Sequence, residues 1–105
     1  MIQRTALFVG TVDPDHSDEF DRTVREEVLP LLRQIPSIRS ANVLKTVQQE
    51  AGIPEVYQTY MLRFDDMAGM EEMLASEGRV AVHQAMSRIL PWFDGHVVHM
   101  VAEVH

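Results

Sequence analysis

The pattern of apolar and polar residues divides the chain into strand-like and helix-like stretches. Where β-favouring residues cluster between turn residues, or apolar residues recur at every second position, we predict a β-strand, and where apolar residues recur at every third or fourth position we predict a helix. The predicted strands are residues 2–9, 38–47, 56–64 and 97–104, and the predicted helices are residues 17–35, 67–74 and 78–93. Turn residues separate these stretches, with Asp94-Gly95 predicted to form the turn before the last strand.

The first helix is predicted to bend in its middle. Pro30 has no amide hydrogen and its ring collides with the preceding turn, so we expect a kink near residues 26–30. Ser17 is the predicted N-cap. The expected apolar face of this helix is Phe20, Val24, Val28 (or Glu27), Leu31 and Ile35. In the later helices the expected apolar stripes are Met67, Met70 and Leu74, then Val82, Met86 and Ile89 or Leu90.

The order β-α-β-β-α-β is the split arrangement of ferredoxin-like folds. We therefore predict an α+β fold with a four-stranded antiparallel sheet and the helices on one face, in which residues 38–47 and 56–64 form a hairpin. The chain has 105 residues and no linker-like segment, so residues 1–105 are predicted to be a single domain. A chain this short buries a small core, and pairing with a second copy would help to stabilise it.

Composition excludes several classes of partner. Nine basic against sixteen acidic side chains give a net charge of −7, which argues against nucleic acid or an anionic membrane as partner. The absence of cysteine removes disulfides, thiolate nucleophiles and cysteine-ligated zinc, and agrees with a reducing compartment. No apolar run approaches the ~20 residues that span a bilayer, and the opening MIQRTALFVG is too polar for a signal peptide. We expect a cytoplasmic protein.

Two segments resemble a known family. The segment EEVLPLLRQIP, residues 26–36, and the segment ASEGRVAVHQAMSRILPWFDGHVVHMVAEV, residues 75–104, resemble the two signatures of the EthD-like family of dimeric α+β barrels. The resemblance implies a homodimer formed through the sheet face and an association with the catabolism of hydrocarbons or ethers. In that family the first signature commonly reads His-x-Pro-Leu, and here Val28 stands at the histidine position. Where the second helix often has an aspartate, this chain has Gln84 or His83.

The last strand carries candidate chemistry. The set that we expect to pack beneath the helices is Val98, Met100, Ala102 and Val104. The set that we expect to face the partner subunit, and to line a cavity inside the barrel, is Val97, His99, Val101 and Glu103. On that face His99 is a candidate general base or polar anchor, and the alternative is an interface histidine satisfied by a hydrogen bond across the dimer.

Other candidate residues lie on neighbouring elements. Tyr60 could bury its ring and direct its hydroxyl at a ligand, although a strand tyrosine is more often part of a core or interface. Arg4, Arg39 and Arg63 are the fixed cations available for an anionic substrate, with a solvated rim as the alternative for each. The predicted catalytic residues are His99 and Tyr60. The residues predicted to contact a ligand are Val28, Val97, Val101 and Arg63.

The histidines do not form a convincing metal site. His96 and His99 are three residues apart in a strand and point to opposite faces. His99 and His105 share a face but lie roughly 20 Å apart, at about 3.3 Å per residue. Glu103 and His105 make at most a two-ligand cluster, one ligand short of a typical zinc site. We predict no metal and no cofactor.

Three functions remain open. The leading prediction is a small protein that binds an apolar or aromatic molecule in its barrel cavity, accessory to catabolism. The second is a cofactor-free isomerase or monooxygenase in which His99 acts as base with Tyr60 as its acid. The third is a structural or interaction module whose barrel is filled by its own side chains. A haem-degrading relative would need a proximal histidine on a helix, and His83 is the only candidate.

Overall fold

The computed structural model describes all 105 residues. Four antiparallel strands form a single sheet in the spatial order β2-β3-β1-β4, so that β2 and β4 are its edges. The strands are β1 (Ile2–Val12), β2 (Ser40–Lys45), β3 (Val56–Phe64) and β4 (Phe93–Glu103). All helices pack on one face of this sheet, which confirms the predicted α+β, ferredoxin-like architecture and the β2–β3 hairpin.

Five helical segments cover the sheet. They are α1 (Ser17–Thr23), a π-helical turn (Val24–Val28), α2 (Leu29–Arg33), α3 (Met67–Leu74) and α4 (Glu77–Ser87). Short 3₁₀ turns lie at Pro14–His16 and Leu90–Trp92. Asp66 caps α3 by accepting a hydrogen bond from the Gly69 amide at 2.9 Å. Ser76 caps α4 in the same way from the Arg79 amide at 3.2 Å.

The predicted kink before Pro30 takes the form of the π-helical turn. Pro30 cannot donate a backbone hydrogen bond, and the preceding turn widens so that the Leu29 amide donates to the Val24 carbonyl, five residues back. The wider turn contains one extra residue, so the positions that face the sheet after it shift by one residue along the sequence. Leu32 is therefore buried and Leu31 only partly so, where the sequence spacing predicted Leu31.

Two further details differ from the sequence prediction, and a third selects between two predicted residues. Ser17 is the first residue of α1 and His16 occupies the N-cap position, because the 3₁₀ turn precedes the helix directly. In α3, Met73 is buried and Met67 is exposed, so the stripe runs through Met70 and Met73. After α4 the buried residue is Ile89, since the chain leaves the helix there.

The predicted turn at Asp94-Gly95 is wrong, because β4 begins at Phe93 and runs through both residues. Gly95 pairs directly with Gly10 on β1, and both have a positive φ, 155° and 147°. A Cβ atom on Gly10 would lie 2.1 Å from the Asp94 carbonyl oxygen. Two facing glycines therefore allow the strands to pair where side chains would collide, and both strands become longer than the sequence predicted.

The face assignment of β4 is also wrong. His99 lies opposite Ala6 and Val97 lies opposite Phe8, and Phe8 is in the core beneath the helices. Residues directly opposite each other in a sheet share a face, so Val97 and His99 face the helices. The alternation in β4 was correct, but its two sets were exchanged, because apolar residues stand on both faces of this strand and only the register with β1 separates them.

The opposite face of the sheet carries no helix. Apolar side chains on this face, which we call the open face, are Leu7, Leu44, Met61, Val98 and Met100. On the edge strand β4, Val98 and Met100 are 39% and 52% exposed. No helix of the protein is long and apolar enough to cross a membrane.

Candidate functional site

A cavity of about 230 Å³ lies between the sheet and the helices. Its floor comes from β1, β3 and β4, and its roof from α2, α4 and the 3₁₀ turn that follows α4. The lining residues are Arg4, Ala6, Phe8, Leu32, Tyr60, Leu62, Arg79, Val82, His83, Met86, Leu90, Val97 and His99. Nine of the thirteen are hydrophobic, so the cavity favours an apolar occupant with a few polar contacts.

One part of the cavity wall is aromatic and buried. Phe8 and Tyr60 stack with their ring centroids 4.9 Å apart. The Tyr60 hydroxyl lies 3.7 Å from the Met86 sulfur, which is a weak acceptor. Burial raises the pKa of Tyr60, and Asp21 raises it further, so the phenol stays protonated at neutral pH. Tyr60 can therefore donate a hydrogen bond to a ligand but cannot serve as a base.

The polar lining residues are all basic. Arg4 comes from β1, Arg79 and His83 from α4, and His99 from β4. Arg79 donates through Nη1 to the Leu74 carbonyl at 3.0 Å. The ion pairs of the protein lie elsewhere and none involves Arg4 or Arg79. No carboxylate lines the cavity, so these two positive charges have no partner there.

This arrangement shifts the pKa values of two of the basic groups. Burial lowers the pKa of Arg4, and the nearby charge of Arg79 lowers it further. Burial likewise lowers the pKa of His99 below its ordinary value, with the charges of Arg4 and Arg79 adding to the effect. His99 is therefore a neutral imidazole at pH 7, able to accept a hydrogen bond or a proton.

The structure brings some of the predicted site residues together and separates others. His99, Tyr60 and Val97 line the same cavity. This cavity lies inside one subunit, under the helices, whereas the sequence analysis expected it on the face toward a partner.

The other three predicted ligand contacts do not line the cavity. Val28 is completely buried in the helix–sheet core, because the π-helical turn points it at the sheet. Val101 lies beyond the cavity on the edge strand and is 44% exposed. Arg63 is on the open face, where it donates to the Gln3 side chain at 3.0 Å, so the sheet separates it from the cavity.

Sequence reasoning missed Arg79. Its signal was present in the helical spacing, since Arg79, Val82, His83 and Met86 follow at i, i+3, i+4 and i+7 and so share one face of α4. Arg4 had been considered as a cation but not as a cavity residue. Its place became visible only when β1 was set in register with β3 and β4.

The protein contains no group of three or more His, Asp or Glu side chains that could hold a metal ion. Glu103 and His105 lie 3.9 Å apart at the exposed end of β4. His16 stacks on Trp92, with ring centroids 4.4 Å apart, and contacts Asp13. Neither pair is part of the cavity.

Comparison with known proteins supports the fold. No protein-family model and no curated protein sequence matches the chain. An ethyl tert-butyl ether D (EthD) family protein from Bacillus halodurans has a similar structure, with a TM-score of 0.76, 22% identity and coverage of 100% of this chain and 99% of that one. The resemblance to an EthD-like protein is thus confirmed at the level of the fold.

Two further solved structures share this architecture. An antibiotic biosynthesis monooxygenase matches with a TM-score of 0.72, 15% identity and coverage of 100% of this chain and 99% of that one. A dimeric protein of unknown function with a ferredoxin-like fold, from Bacteroides fragilis, matches with a TM-score of 0.72, 16% identity and coverage of 98% and 95%. At these identities the likeness concerns the fold alone.

Proposed function

We propose that this protein binds a small apolar or aromatic molecule in the cavity between its sheet and α4, as a homodimer accessory to the catabolism of hydrocarbons or ethers. The observation that carries the proposal is the unfilled, largely hydrophobic cavity of about 230 Å³. An apolar cavity of roughly 150 Å³ is enough to hold benzene, so this one has room for a single ring with a short substituent. This cavity lies between the sheet and the helices, so it is separate from any barrel that two open faces would enclose and that side chains would fill.

Filling the cavity should abolish binding. Val97 lines the cavity and is 36% exposed, so Val97→Phe can place a phenyl group in the space with little strain on the core. We expect benzyl alcohol, observed by calorimetry or by shifts of the Tyr60 ring resonances, to bind the variant at least about tenfold more weakly, equivalent to losing ~1.4 kcal/mol of contact.

The matched control is Val80→Phe, on the same subunit but outside the cavity. Val80 lies on the outer side of α4 and is 56% exposed. This variant should bind benzyl alcohol as the parent does. If Val97→Phe and the parent bind the alcohol equally, the ligand does not occupy this cavity and the proposal fails.

The dimer is proposed from the open face of the sheet. A monomer would leave the apolar side chains of β4 and its neighbours in contact with water, and large exposed apolar patches are uncommon on monomeric proteins. The neighbour from Bacteroides fragilis is described as dimeric. We propose that two copies pack open face to open face as a barrel, with the helices and both cavities outside it. Nucleic acid and membrane are not proposed partners, and a cytoplasmic location remains a prediction.

A second candidate function is proton transfer without a cofactor. It is favoured because a neutral imidazole, His99, and a neutral phenol, Tyr60, line the same cavity. The imidazole would take a proton from a carbon next to a carbonyl, and the phenol would donate a hydrogen bond to the oxygen that becomes negative. The neighbour named an antibiotic biosynthesis monooxygenase makes an enzymatic role of this architecture reasonable.

If His99 is such a base, the protein should accelerate deuterium exchange at the α-carbon of phenylacetone in D₂O. His99→Ala should reduce this rate by roughly 10²- to 10⁴-fold, the usual contribution of a general base. The parent rate should fall only as the pH drops through the lowered pKa of His99, below 6.5, because the imidazolium has no lone pair to accept a proton.

Proton NMR of the substrate measures this exchange directly. The control is His105→Ala, because His105 lies near the chain end with a side chain that is 91% exposed. Equal exchange rates in the two variants would rule out His99 as the base and leave ligand binding as the function.

A further inference from the structure

The charges around the cavity are unbalanced. Arg4 and Arg79 approach it from opposite walls, one from the sheet and one from α4. Burial is the larger cause of the lowered pKa of Arg4, and the nearby charge of Arg79 lowers that pKa further. His83 and His99 are the other polar lining residues, and neither can supply a negative charge.

Such an arrangement is costly in the free protein. Two like charges beside an apolar cavity repel each other, and partial burial weakens the screening by water. Arg39, by contrast, has a carboxylate partner, because its guanidinium donates to Asp65 at 2.7 Å and 2.9 Å. Arg4 and Arg79 have no such carboxylate.

We propose that the ligand of this cavity is a ring-sized apolar molecule bearing a carboxylate, which supplies the missing negative charge to Arg4 and Arg79. The inference rests on the proposed ligand-binding function and specifies the class of ligand. The apolar body would lie against the stacked rings of Phe8 and Tyr60, and the carboxylate at the basic end beside His99. Guanidinium groups suit this task, because their planar N–H donors match the two oxygens of a carboxylate.

Two probes of nearly equal shape test the proposal. Phenylacetate carries the carboxylate, and phenylacetamide replaces it by a neutral amide. Calorimetric titration of the full chain should show phenylacetate binding roughly 10- to 100-fold more tightly, the factor expected for hydrogen bonds to a charged group. Raised salt should weaken phenylacetate alone, because screening acts on the charge. Bound phenylacetate should also raise the NMR titration midpoint of His99, since it offsets the two positive charges.

Substitutions assign the preference to the two arginines. Arg4→Gln and Arg79→Gln should each reduce the preference for phenylacetate about tenfold and leave phenylacetamide binding nearly unchanged. Arg25→Gln is the control, because Arg25 is exposed on the π-helical turn and away from the cavity. Arg79 also donates a hydrogen bond to the Leu74 carbonyl. If its variant fails to fold, Arg4→Gln carries the test, since Arg4 takes part in no ion pair of the protein.

The outcomes separate the two proposals. Equal affinity for both probes, or a preference that survives in Arg4→Gln, overturns the carboxylate inference and leaves the cavity as a binding site for neutral molecules. If phenylacetate, phenylacetamide and benzyl alcohol all fail to bind, the ligand-binding function is overturned. The carboxylate inference, which rests on that function, is then overturned as well. Tight binding of phenylacetate alone, lost in the arginine variants and kept in Arg25→Gln, supports both.

Discussion

Val28→His should lower the free energy of unfolding by about 3 kcal/mol. The Val28 side chain is completely buried between the π-helical turn and the sheet, and it does not reach the cavity. The imidazole is larger than the isopropyl group, and forcing extra atoms into a packed core costs roughly 1–3 kcal/mol. Its two nitrogens would also be buried without partners, at a further cost of about 1–3 kcal/mol. Introducing the residue that EthD-like sequences carry here should therefore weaken the fold.

Urea unfolding followed by circular dichroism measures this loss. Val80→His is the control, because Val80 is 56% exposed on α4 and should tolerate an imidazole within about 0.5 kcal/mol. We expect no gain of phenylacetone exchange in Val28→His, since the new imidazole would not face the cavity. A variant as stable as the parent, or one with new exchange activity, would mean that position 28 borders the cavity.

Met100→Asp should convert the dimer into monomers. Met100 is 52% exposed in the second half of β4 on the open face, and in the proposed dimer both copies would bury it. Each subunit would then place one unpaired carboxylate in an apolar interface, at several kcal/mol per ion. At ~3 kcal/mol for each of the two charges, the dissociation constant should rise about 10⁴-fold.

Sedimentation equilibrium at micromolar concentration distinguishes the two states. The parent should sediment at twice the chain mass of 12.0 kDa and Met100→Asp at that mass. Val80→Asp is the matched control, because Val80 has similar exposure but lies on the helical side of the molecule, and this variant should remain dimeric. If the parent sediments as a single 12.0 kDa species, the proposed dimer is refuted and the open face is exposed to solvent.

The two faces of the sheet therefore have separate proposed roles. The helical face holds the cavity and its basic residues, and the open face is available for assembly. Because the sheet separates them, Met100→Asp should leave the affinity for benzyl alcohol unchanged as long as the monomer stays folded.

The sequence by itself determined the order of elements, the α+β class and the break before Pro30. These follow from local chemistry: alternation and helical spacing separate strands from helices, and a proline removes a backbone donor wherever it stands. The hairpin of β2 and β3 could also be predicted, because its strands are consecutive in the sequence and turn residues stand in the segment 46–55 that joins them.

The tertiary structure alone decided which residues meet in the cavity. In β4 both faces are apolar enough to be core, so alternation offered two solutions, and pairing with β1 selected the one that turns His99 toward the helices. The facing glycines Gly10 and Gly95 extended that pairing past a predicted turn. Arg4 and Arg79 are 75 positions apart in sequence and line the same cavity because α4 packs over the sheet. Contacts between distant segments depend on register and packing, which no local pattern of residues specifies.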